Sequence, residues 1–477
     1  MTRFYTYINE QKTLNWKDYT TGNDELKKAL EVMKIIEDAG YEALIVGGFV
    51  RDVILGIPSK DIDIATNMPP KEIDRHFNQI DIGKNKQFGV NVVVYKGFQY
   101  ELAQYRADIY NSLESGKGAE NVELVSSFKD DAARRDFTIN SLGINFKGEI
   151  IDHHGGTGDL ETKKIAAVGD PKLRFTEDAV RMMRGIRGAS KLGFEIEPKT
   201  KETIKQMASD ITKVSPERIR EELMKMASQS GDKFADAIVL LDDVGILEII
   251  LPEITKLKEF QETPEHHPEA YEYGEGRVYD HVLAAVRKNK LKDPIVNFAI
   301  LLHDIGKNER TYQKIEGKHT FRNHAEKSKD LIDNIAERLK LSKRDKDALL
   351  FSVLNHMKIM HATEMKPTKI MKLVNDRNWA VLKAVFYADD ASRIGLFDKK
   401  EHNKIINHME QIAKKWGEKV ANTTAKVIDG KRVMDITGLR SGPKVGEIIK
   451  KVTDMVINQG SKEPIDKLIN RAYNEVI

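Results

Sequence analysis

The sequence predicts an α+β domain near the N-terminus, followed by mostly helical domains. Over about the first 160 residues, short apolar runs that suit buried strands, such as 43–46, alternate with helical patterns. Beyond that point helical segments predominate, and 477 residues are too many for a single core. We predict five segments: an N-terminal arm (1–23), an α+β head (24–160), a helical neck (161–250), a further helical domain (251–400) and a helical tail (401–477).

The composition is typical of a soluble globular protein, with 40% apolar and 32% charged residues. No run approaches the ~20 apolar residues of a membrane span, and the first residues have no signal-peptide pattern. We therefore expect a cytoplasmic protein without a membrane partner. The absence of cysteine excludes disulfides, zinc–thiolate sites and thiol nucleophiles, so any metal must bind histidine and carboxylate. The net charge of +3 is compatible with a polyanionic partner but does not by itself indicate one.

The head begins with a helix, a strand and a glycine turn. A capped helix over 23–38 is followed by the apolar strand 43–46, and Gly47 and Gly48 then lead into a second helix. Backbone N–H groups approach an anion closely where Cβ is absent, and the helix dipole favours that anion. The turn is therefore a candidate phosphate site, and an ordinary turn is the alternative.

Two aspartates follow this turn. Asp61 and Asp63 are two residues apart, so on a strand both carboxylates project from one face, opposite the apolar face of Ile62 and Ile64. Two hard oxygen ligands beside a phosphate site can hold Mg²⁺ against a nucleoside triphosphate. A solvated strand edge is the alternative interpretation.

The rest of the head is predicted to contain a short helix over 70–77 and two strands, 90–94 and 98–102, joined by a Lys-Gly turn. Glu101 on the second strand is a candidate third carboxylate, and a surface glutamate is the alternative. Residues 111–127 are predicted to form a mobile loop.

Two charged segments close the head. Arg134 and Arg135 precede Asp136 and Asn140, and the planar fork of arginine suits phosphate better than lysine does. An ordinary charge cluster at a helix end is the alternative. The segment 152–160, DHHGGTGDL, suits a metal poorly, because adjacent histidines point apart in regular structure.

The neck is predicted to be helical. Asp178 and Arg181 are three residues apart and therefore neighbours on one face of a helix, where a generic protein would use them as a surface ion pair. A later helix, 214–223, has Ser215 as N-cap and Pro216 at its first position.

Together, five ordered motifs resemble the class II tRNA nucleotidyltransferases (CCA-adding enzymes) and bacterial poly(A) polymerases, within the polymerase-beta-like superfamily. The resemblance covers roughly 40–230 and implies a small mixed sheet with helices in the head. It also implies template-independent addition of C, C and A from CTP and ATP to the 3′ end of tRNA, with Mg²⁺. The implied catalytic and Mg²⁺-binding carboxylates are Asp61 and Asp63, with Glu101 assisting. The implied nucleotide-binding residues are Gly47, Gly48, Arg51, Arg134, Arg135, Asp136, Asn140, Asp178, Arg181 and Arg184, of which Asp178 and Arg181 would read the base.

A second set of candidate site residues, histidines and aspartates, lies beyond residue 252. Its ordered H…HD…H…H…D series resembles an HD-superfamily phosphohydrolase domain, which implies a divalent transition metal or Mg²⁺ that activates water against a phosphoester. By this resemblance the metal ligands are His281, His303, Asp304, His324, His356 and Asp389, with Asp390 as the alternative to the last. His361 and the His266–His267 pair are predicted to be surface residues. The resemblance also implies a second activity on RNA 2′,3′-cyclic or 2′-phosphate ends.

The tail is lysine-rich, and its segment 438–448 resembles a C-terminal motif of HD-bearing family members. It could grip RNA phosphates or form a helix-packing turn.

Two rival functions stay open. A poly(A) polymerase would add only A, and an HD phosphohydrolase could use the head merely to bind RNA.

Overall fold

The computed structural model describes residues 13–59, 61–80, 89–109, 121–308, 310–315, 318–396, 398–423, 428–457 and 463–477. The described residues up to 252, apart from 230–232, form one compact unit, and 230–232 with the described residues from 253 onward form a second. The division into five segments stays a prediction.

The strands lie mostly in the first unit. In chain order they are β1 Ala43–Val46, β2 Asp63–Thr66, β3 Asn78–Ile80, β4 Val90–Tyr95, β5 Phe98–Gln104, β6 Arg106–Ile109, β7 Asn121–Leu124, β8 Gly143–Asn145, β9 Ile150–Ile151, β10 Lys164–Ile165, β11 Glu195–Ile196, β12 Tyr312–Ile315 and β13 Lys318–Phe321. Seven of them form one sheet in the order β3-β4-β5-β2-β1-β8-β9. Only β2 and β5 are parallel neighbours in this sheet, so the predicted mixed sheet is confirmed.

The α-helices of the first half are α1 Lys17–Thr20, α2 Asp24–Asp38, α3 Gly48–Ile54, α4 Pro70–His76, α5 Phe128–Ala133, α6 Gly156–Glu161, α7 Pro171–Glu177, α8 Val180–Leu192, α9 Pro198–Gln206, α10 Pro216–Ala227, α11 Gly231–Asp243, α12 Ile246–Ile250 and α13 Pro252–Thr255. Several predicted starts are observed. Asn23 caps α2 by accepting from the Leu26 N–H at 3.0 Å, and α10 begins at Pro216 after Ser215.

The second unit is largely helical. Its helices are α14 Pro268–Glu272, α15 Val278–Lys288, α16 Pro294–Leu302, α17 His324–Arg338, α18 Lys343–Asn355, α19 Pro367–Val374, α20 Trp379–Ser392, α21 Lys399–Thr423, α22 Gly430–Thr437, α23 Pro443–Ile457 and α24 Ile465–Val476. Short 3₁₀ helices cover Thr138–Asn140, Ala208–Lys213, Lys256–Glu259 and His356–Glu364. The tail has a separate apolar cluster that includes Val433, Ile448 and Leu468. No helix within the described ranges is long and apolar enough to cross a bilayer.

Two local predictions about the head were wrong. The strand with the aspartates begins at Asp63 rather than Asp61, because β1 ends at Val46, which pairs with Asp63, and then turns away. Part of the predicted loop is strand β7, which pairs with β6. The remainder of that loop, 111–120 with its Gly-Lys-Gly stretch, lies outside the described residues.

The predicted arm is only partly described, since residues 1–12 lie outside the described ranges. The part that follows packs on the head. Leu14 is buried, and its N–H donates to the Gly148 carbonyl at 2.7 Å. A Cβ at Gly148 would lie 2.0 Å from the Leu14 carbonyl oxygen, so this close approach needs glycine.

Candidate active sites

Carboxylates gather where β2 and β5 run side by side. Asp63 lies directly opposite Glu101 in this parallel pair, so both side chains project from the same face of the sheet. Asp61 precedes the strand and is exposed. Burial and then Glu101 raise the pKa of Asp63 to about 6, although Arg135 opposes them. A cation among these oxygens would relieve the repulsion, and the all-carboxylate donor set fits Mg²⁺.

The glycine turn lies against these carboxylates. Gly47 has φ +73°, a left-handed conformation that favours glycine. A Cβ at Gly47 would lie 3.6 Å from Nη1 of Arg135 and 3.9 Å from Oδ2 of Asp63. The backbone here therefore lies between a guanidinium and a carboxylate.

The turn opens into a pocket of about 530 Å³ that is lined by eight arginines, three aspartates, one asparagine and two glycines. Its lining residues are Gly47, Gly48, Arg51, Asp63, Arg106, Arg134, Arg135, Asp136, Asn140, Asp178, Arg181, Arg184, Arg187 and Arg218. All ten residues predicted to bind nucleotide are among them. With all groups ionised, eight arginines against three aspartates leave five positive charges, which suits a polyphosphate.

Buried carboxylates hold several of these arginines in place. Asp131 accepts from Nη2 of Arg134 at 2.7 Å and from Nη2 of Arg135 at 3.0 Å. Asp136 accepts from Nε of Arg184 at 2.7 Å. Burial alone would raise the pKa of Asp136, but the Arg184 guanidinium lowers it to about 2. Both acceptors stay ionised at neutral pH, so the cations are aligned before any ligand arrives.

Three other residues that line the pocket are also linked by hydrogen bonds. Arg51 donates from Nη1 to Oδ1 of Asn140 at 2.8 Å, and Asn140 donates from Nδ2 to Oδ1 of Asp136 at 3.2 Å. This chain joins the glycine-turn helix α3 to the segment that follows α5.

The prediction that Asp178 and Arg181 share one helix face was wrong. Asp178 has extended φ and ψ of −153° and 101° and separates α7 from α8. Its Oδ2 accepts from Nη2 of Arg218 at 2.6 Å, whereas Nη1 of Arg181 donates to Oε2 of Glu177 at 2.6 Å. The two residues nevertheless line the same pocket.

Three lining arginines, Arg106, Arg187 and Arg218, were not predicted. Arg218 lies 40 residues from Asp178, and no local spacing connects them. The available signal was that Arg218 lies in the predicted helix 214–223.

The second site is a buried cluster in the second unit. All six predicted ligands are at most 9% exposed. They lie on or beside five different helices: His281 in α15, His303 and Asp304 just after α16, His324 at the start of α17, His356 just after α18, and Asp389 in α20.

Asp304 lies at the centre of this cluster. Its Oδ2 is 3.2 Å from Nε2 of His303, and its Oδ1 is 3.2 Å from Nε2 of His324. Two sets of possible ligands meet here, and within each set the ligand atoms lie within 4.8 Å of one another. One set is His281, His303 and Asp389, and the other is Asp304 itself with His324 and His356. Imidazole and carboxylate suit divalent transition metals. The donor set therefore fits two divalent cations, with Asp304 bordering both.

Backbone carbonyls orient three of the four imidazoles. His303 Nδ1 lies 2.7 Å from the Ile300 carbonyl oxygen, and His356 Nδ1 lies 2.7 Å from that of Val353. His324 Nδ1 lies 3.0 Å from the Phe321 carbonyl. Because a carbonyl only accepts, each Nδ1 carries the proton and each Nε2 offers its lone pair to the cluster.

One prediction about a residue beside the cluster was wrong. His267 was predicted to be a surface residue but is 9% exposed, because its ring packs on His281 with centroids 4.3 Å apart. His361 is exposed, as predicted. Of the adjacent aspartates, Asp389 approaches Nε2 of His281 at 3.3 Å, whereas Asp390 contacts His402.

Comparison with known proteins identifies what the first unit resembles. Residues 43–166 match the family described as the poly A polymerase head domain, and residues 193–258 match that described as the probable RNA and SrmB-binding site of polymerase A. The solved CCA-adding enzyme of Bacillus stearothermophilus in complex with CTP superposes with a TM-score of 0.69 and 24% identity, over 94% of this chain and 98% of that one. This chain shares the fold of that enzyme.

Other relatives extend this likeness. The CCA-adding enzyme of Lactobacillus johnsonii is 42% identical over 221 residues, which are 46% of this chain and 54% of that protein. That of Bacillus pumilus is 40% identical over 205 residues, 43% of this chain and 50% of the relative. The chain thus spans about half the length of the curated relatives it matches. A Thermotoga maritima CCA-adding enzyme complexed with tRNA superposes with a TM-score of 0.56 and 18% identity, over 95% of this chain and 96% of that one.

Proposed function

We propose that the first unit adds C, C and A, from CTP and ATP, to the 3′ end of tRNA without a nucleic-acid template. The observation that carries this proposal is the arginine-lined pocket that opens beside Asp63. The names of the relatives, which are CCA-adding enzymes, support it.

The residues have distinct roles in this reaction. The 3′-hydroxyl of the RNA attacks the α-phosphorus of the nucleotide, and pyrophosphate leaves. Asp61, Asp63 and Glu101 would hold Mg²⁺, which would supply activation of the hydroxyl and charge stabilisation of the leaving oxygens. Arg134 and Arg135, fixed by Asp131, neutralise the triphosphate.

Base selection falls to Asp178 and Arg181. A carboxylate accepts from the exocyclic amino group that C and A share, and a guanidinium donates to a ring or carbonyl acceptor. Asp178 accepts from Arg218, and Arg181 donates to Glu177, so both groups are oriented by an internal partner. A carboxylate and a guanidinium each keep further hydrogen-bonding capacity for a base.

A primer-extension assay tests this proposal. A tRNA transcript lacking CCA is incubated with Mg²⁺ and CTP, ATP, UTP or GTP singly. We expect incorporation from CTP alone on this transcript and from ATP on a transcript ending in CC. Asp61→Asn and Asp63→Asn should abolish both, whereas Asp74→Asn, an exposed carboxylate on α4, should not. Unlimited A addition from ATP alone would instead indicate the poly(A) polymerase.

The buried histidine–aspartate cluster favours a second function. We propose that it holds divalent cations and hydrolyses phosphoesters at RNA 2′,3′-cyclic or 2′-phosphate ends. The observation that carries this is the convergence of five buried ligands on a sixth, Asp304. Lys307 lies 2.9 Å from Oδ2 of Asp304 and 2.6 Å from Glu262, which balances part of the negative charge beside the cluster.

Adjacent aspartates give this second proposal a matched control. Hydrolysis of 2′,3′-cyclic AMP is measured with Ni²⁺, Mn²⁺ or Mg²⁺. Asp389→Asn should lose hydrolysis and divalent-cation binding at this cluster, whereas Asp390→Asn, whose carboxylate contacts His402, should retain cation binding there. If protein with Asp61 and Asp63 replaced by asparagine neither binds the cations nor hydrolyses the ester, the HD function is wrong, and this result does not test nucleotide addition.

A further inference from the structure

One of the four cluster imidazoles is held differently from the others. Three donate from Nδ1 to backbone carbonyls, but His281 Nδ1 lies 2.7 Å from Oε1 of Glu269. Neither of these two side chains is exposed. A charged carboxylate here occupies the place that a neutral carbonyl takes elsewhere.

Glu269 is a buried carboxylate with few partners. It lies on α14, and within the described part of the chain its side chain hydrogen-bonds only to His281 and, at 3.2 Å, to Nδ1 of His267. Its second oxygen, Oε2, is buried with no hydrogen-bond partner there. An ionised carboxylate in such a place costs free energy unless a nearby positive charge offsets it.

We propose that Glu269 is a positioning residue for the cation site, which rests on the HD function proposed above. An ionised carboxylate can only accept, so the His281 proton stays on Nδ1. Nε2, the atom that would bind a cation, lies 3.3 Å from Asp389 and 3.5 Å from Asp304. The negative charge also raises the basicity of Nε2, and a cation bound there offsets the burial of Glu269.

The substitution Glu269→Gln removes the negative charge without changing the shape of the side chain. The amide can accept from Nδ1 through its oxygen or donate to Nδ1 through its nitrogen, so it no longer fixes the imidazole proton on Nδ1. Removing an outer carboxylate of this kind typically weakens metal binding about 10–100-fold. Glu272→Gln is the matched control, because Glu272 is an exposed glutamate on the same short helix.

Cobalt(II) binding to the full-length protein tests the proposal. Asp61 and Asp63 are replaced by asparagine in every sample, so that the head carboxylates do not contribute. Affinity is measured by calorimetry, ligand geometry by the visible Co²⁺ spectrum, and folding by circular dichroism. We expect Glu269→Gln to bind about 10–100-fold more weakly with an altered spectrum. Glu272→Gln should match the parent.

Each other outcome has a distinct meaning. If the parent binds no Co²⁺ in the second unit, the proposed cation site is wrong. If the parent and Glu269→Gln bind equally well with the same spectrum, the cation site stands and the positioning role is wrong. Glu269→Asp, which keeps the charge, covers the case in which the glutamine variant does not fold. It should bind more tightly than Glu269→Ala, and equal affinities would contradict the proposal.

Discussion

Replacing Asp63 by asparagine should abolish nucleotide addition and yet stabilise the protein. The pKa of Asp63 is raised from 3.8 to about 6, because burial and Glu101 disfavour its charge. A folded-state pKa above the unfolded value means that stability is fully present below pH 3.8 and is lost as pH rises through about 6. Two pKa units correspond to about 3 kcal/mol.

The substitution removes this titration, so the stability difference between Asp63→Asn and wild type should grow with pH. Linkage gives about 1.5 kcal/mol at pH 5 and about 3 kcal/mol at pH 8 in favour of the variant. Urea unfolding in EDTA, followed by circular dichroism at both pH values, measures the difference. EDTA matters because a bound cation would offset the same repulsion.

Asp61→Asn is the control for this prediction. Asp61 is exposed, so its substitution should change stability by less than about 0.5 kcal/mol while still abolishing nucleotide addition. A stability difference for Asp63→Asn that is the same at pH 5 and pH 8, or an active Asp63→Asn enzyme, would refute the reasoning.

Three further predictions follow from close contacts. Gly156→Ala should destabilise the first unit by about 1–3 kcal/mol in urea unfolding, because its Cβ would lie 2.2 Å from the Thr138 carbonyl oxygen. Gly158→Ala on the same helix has nothing within 4 Å and should be neutral or stabilising, and equal losses would contradict the steric explanation. Arg218→Ala releases Asp178 and should lower discrimination between CTP and UTP in single-nucleotide incorporation. Arg220→Ala, a control outside the pocket lining, should leave this discrimination unchanged. Unchanged discrimination in Arg218→Ala as well would exclude a role for the Arg218–Asp178 ion pair. Lys307→Met should destabilise the second unit by about 3–5 kcal/mol, because it leaves Asp304 and Glu262 buried without their cation. Thermal unfolding with and without Mn²⁺ checks this, and we expect Mn²⁺ to restore part of the loss; a variant as stable as wild type in EDTA would refute it.

Local signals in the sequence predicted local structure well. The helix α2 with its Asn23 cap and the hairpin of β4 and β5 depend on neighbouring residues, so periodicity and turn chemistry are sufficient to find them. The ten nucleotide-binding candidates were found through motif resemblance, and all ten line one pocket. Their chemical roles stay proposals.

Long-range contacts explain the errors. The partner of Asp178 is Arg218 on another helix, and spacing within α7 and α8 carries no information about it. His267 is buried because α14 packs on α15, where Glu269 and His281 meet. Strand β2 begins at Asp63 because its partner β1 ends at Val46. Each outcome depends on tertiary packing that a single sequence pattern does not encode.

Sequencing the 3′ ends of extended tRNA tests the central proposal most directly. A transcript lacking CCA is incubated with the full-length protein, Mg²⁺, CTP and ATP, and every 3′ end is read. We expect two C residues followed by a single A and then a stop, and the same product from Asp389→Asn. Ends that carry runs of A, or no extension by wild-type protein, would contradict the proposal that the arginine-lined pocket of the first unit is a CCA-adding site.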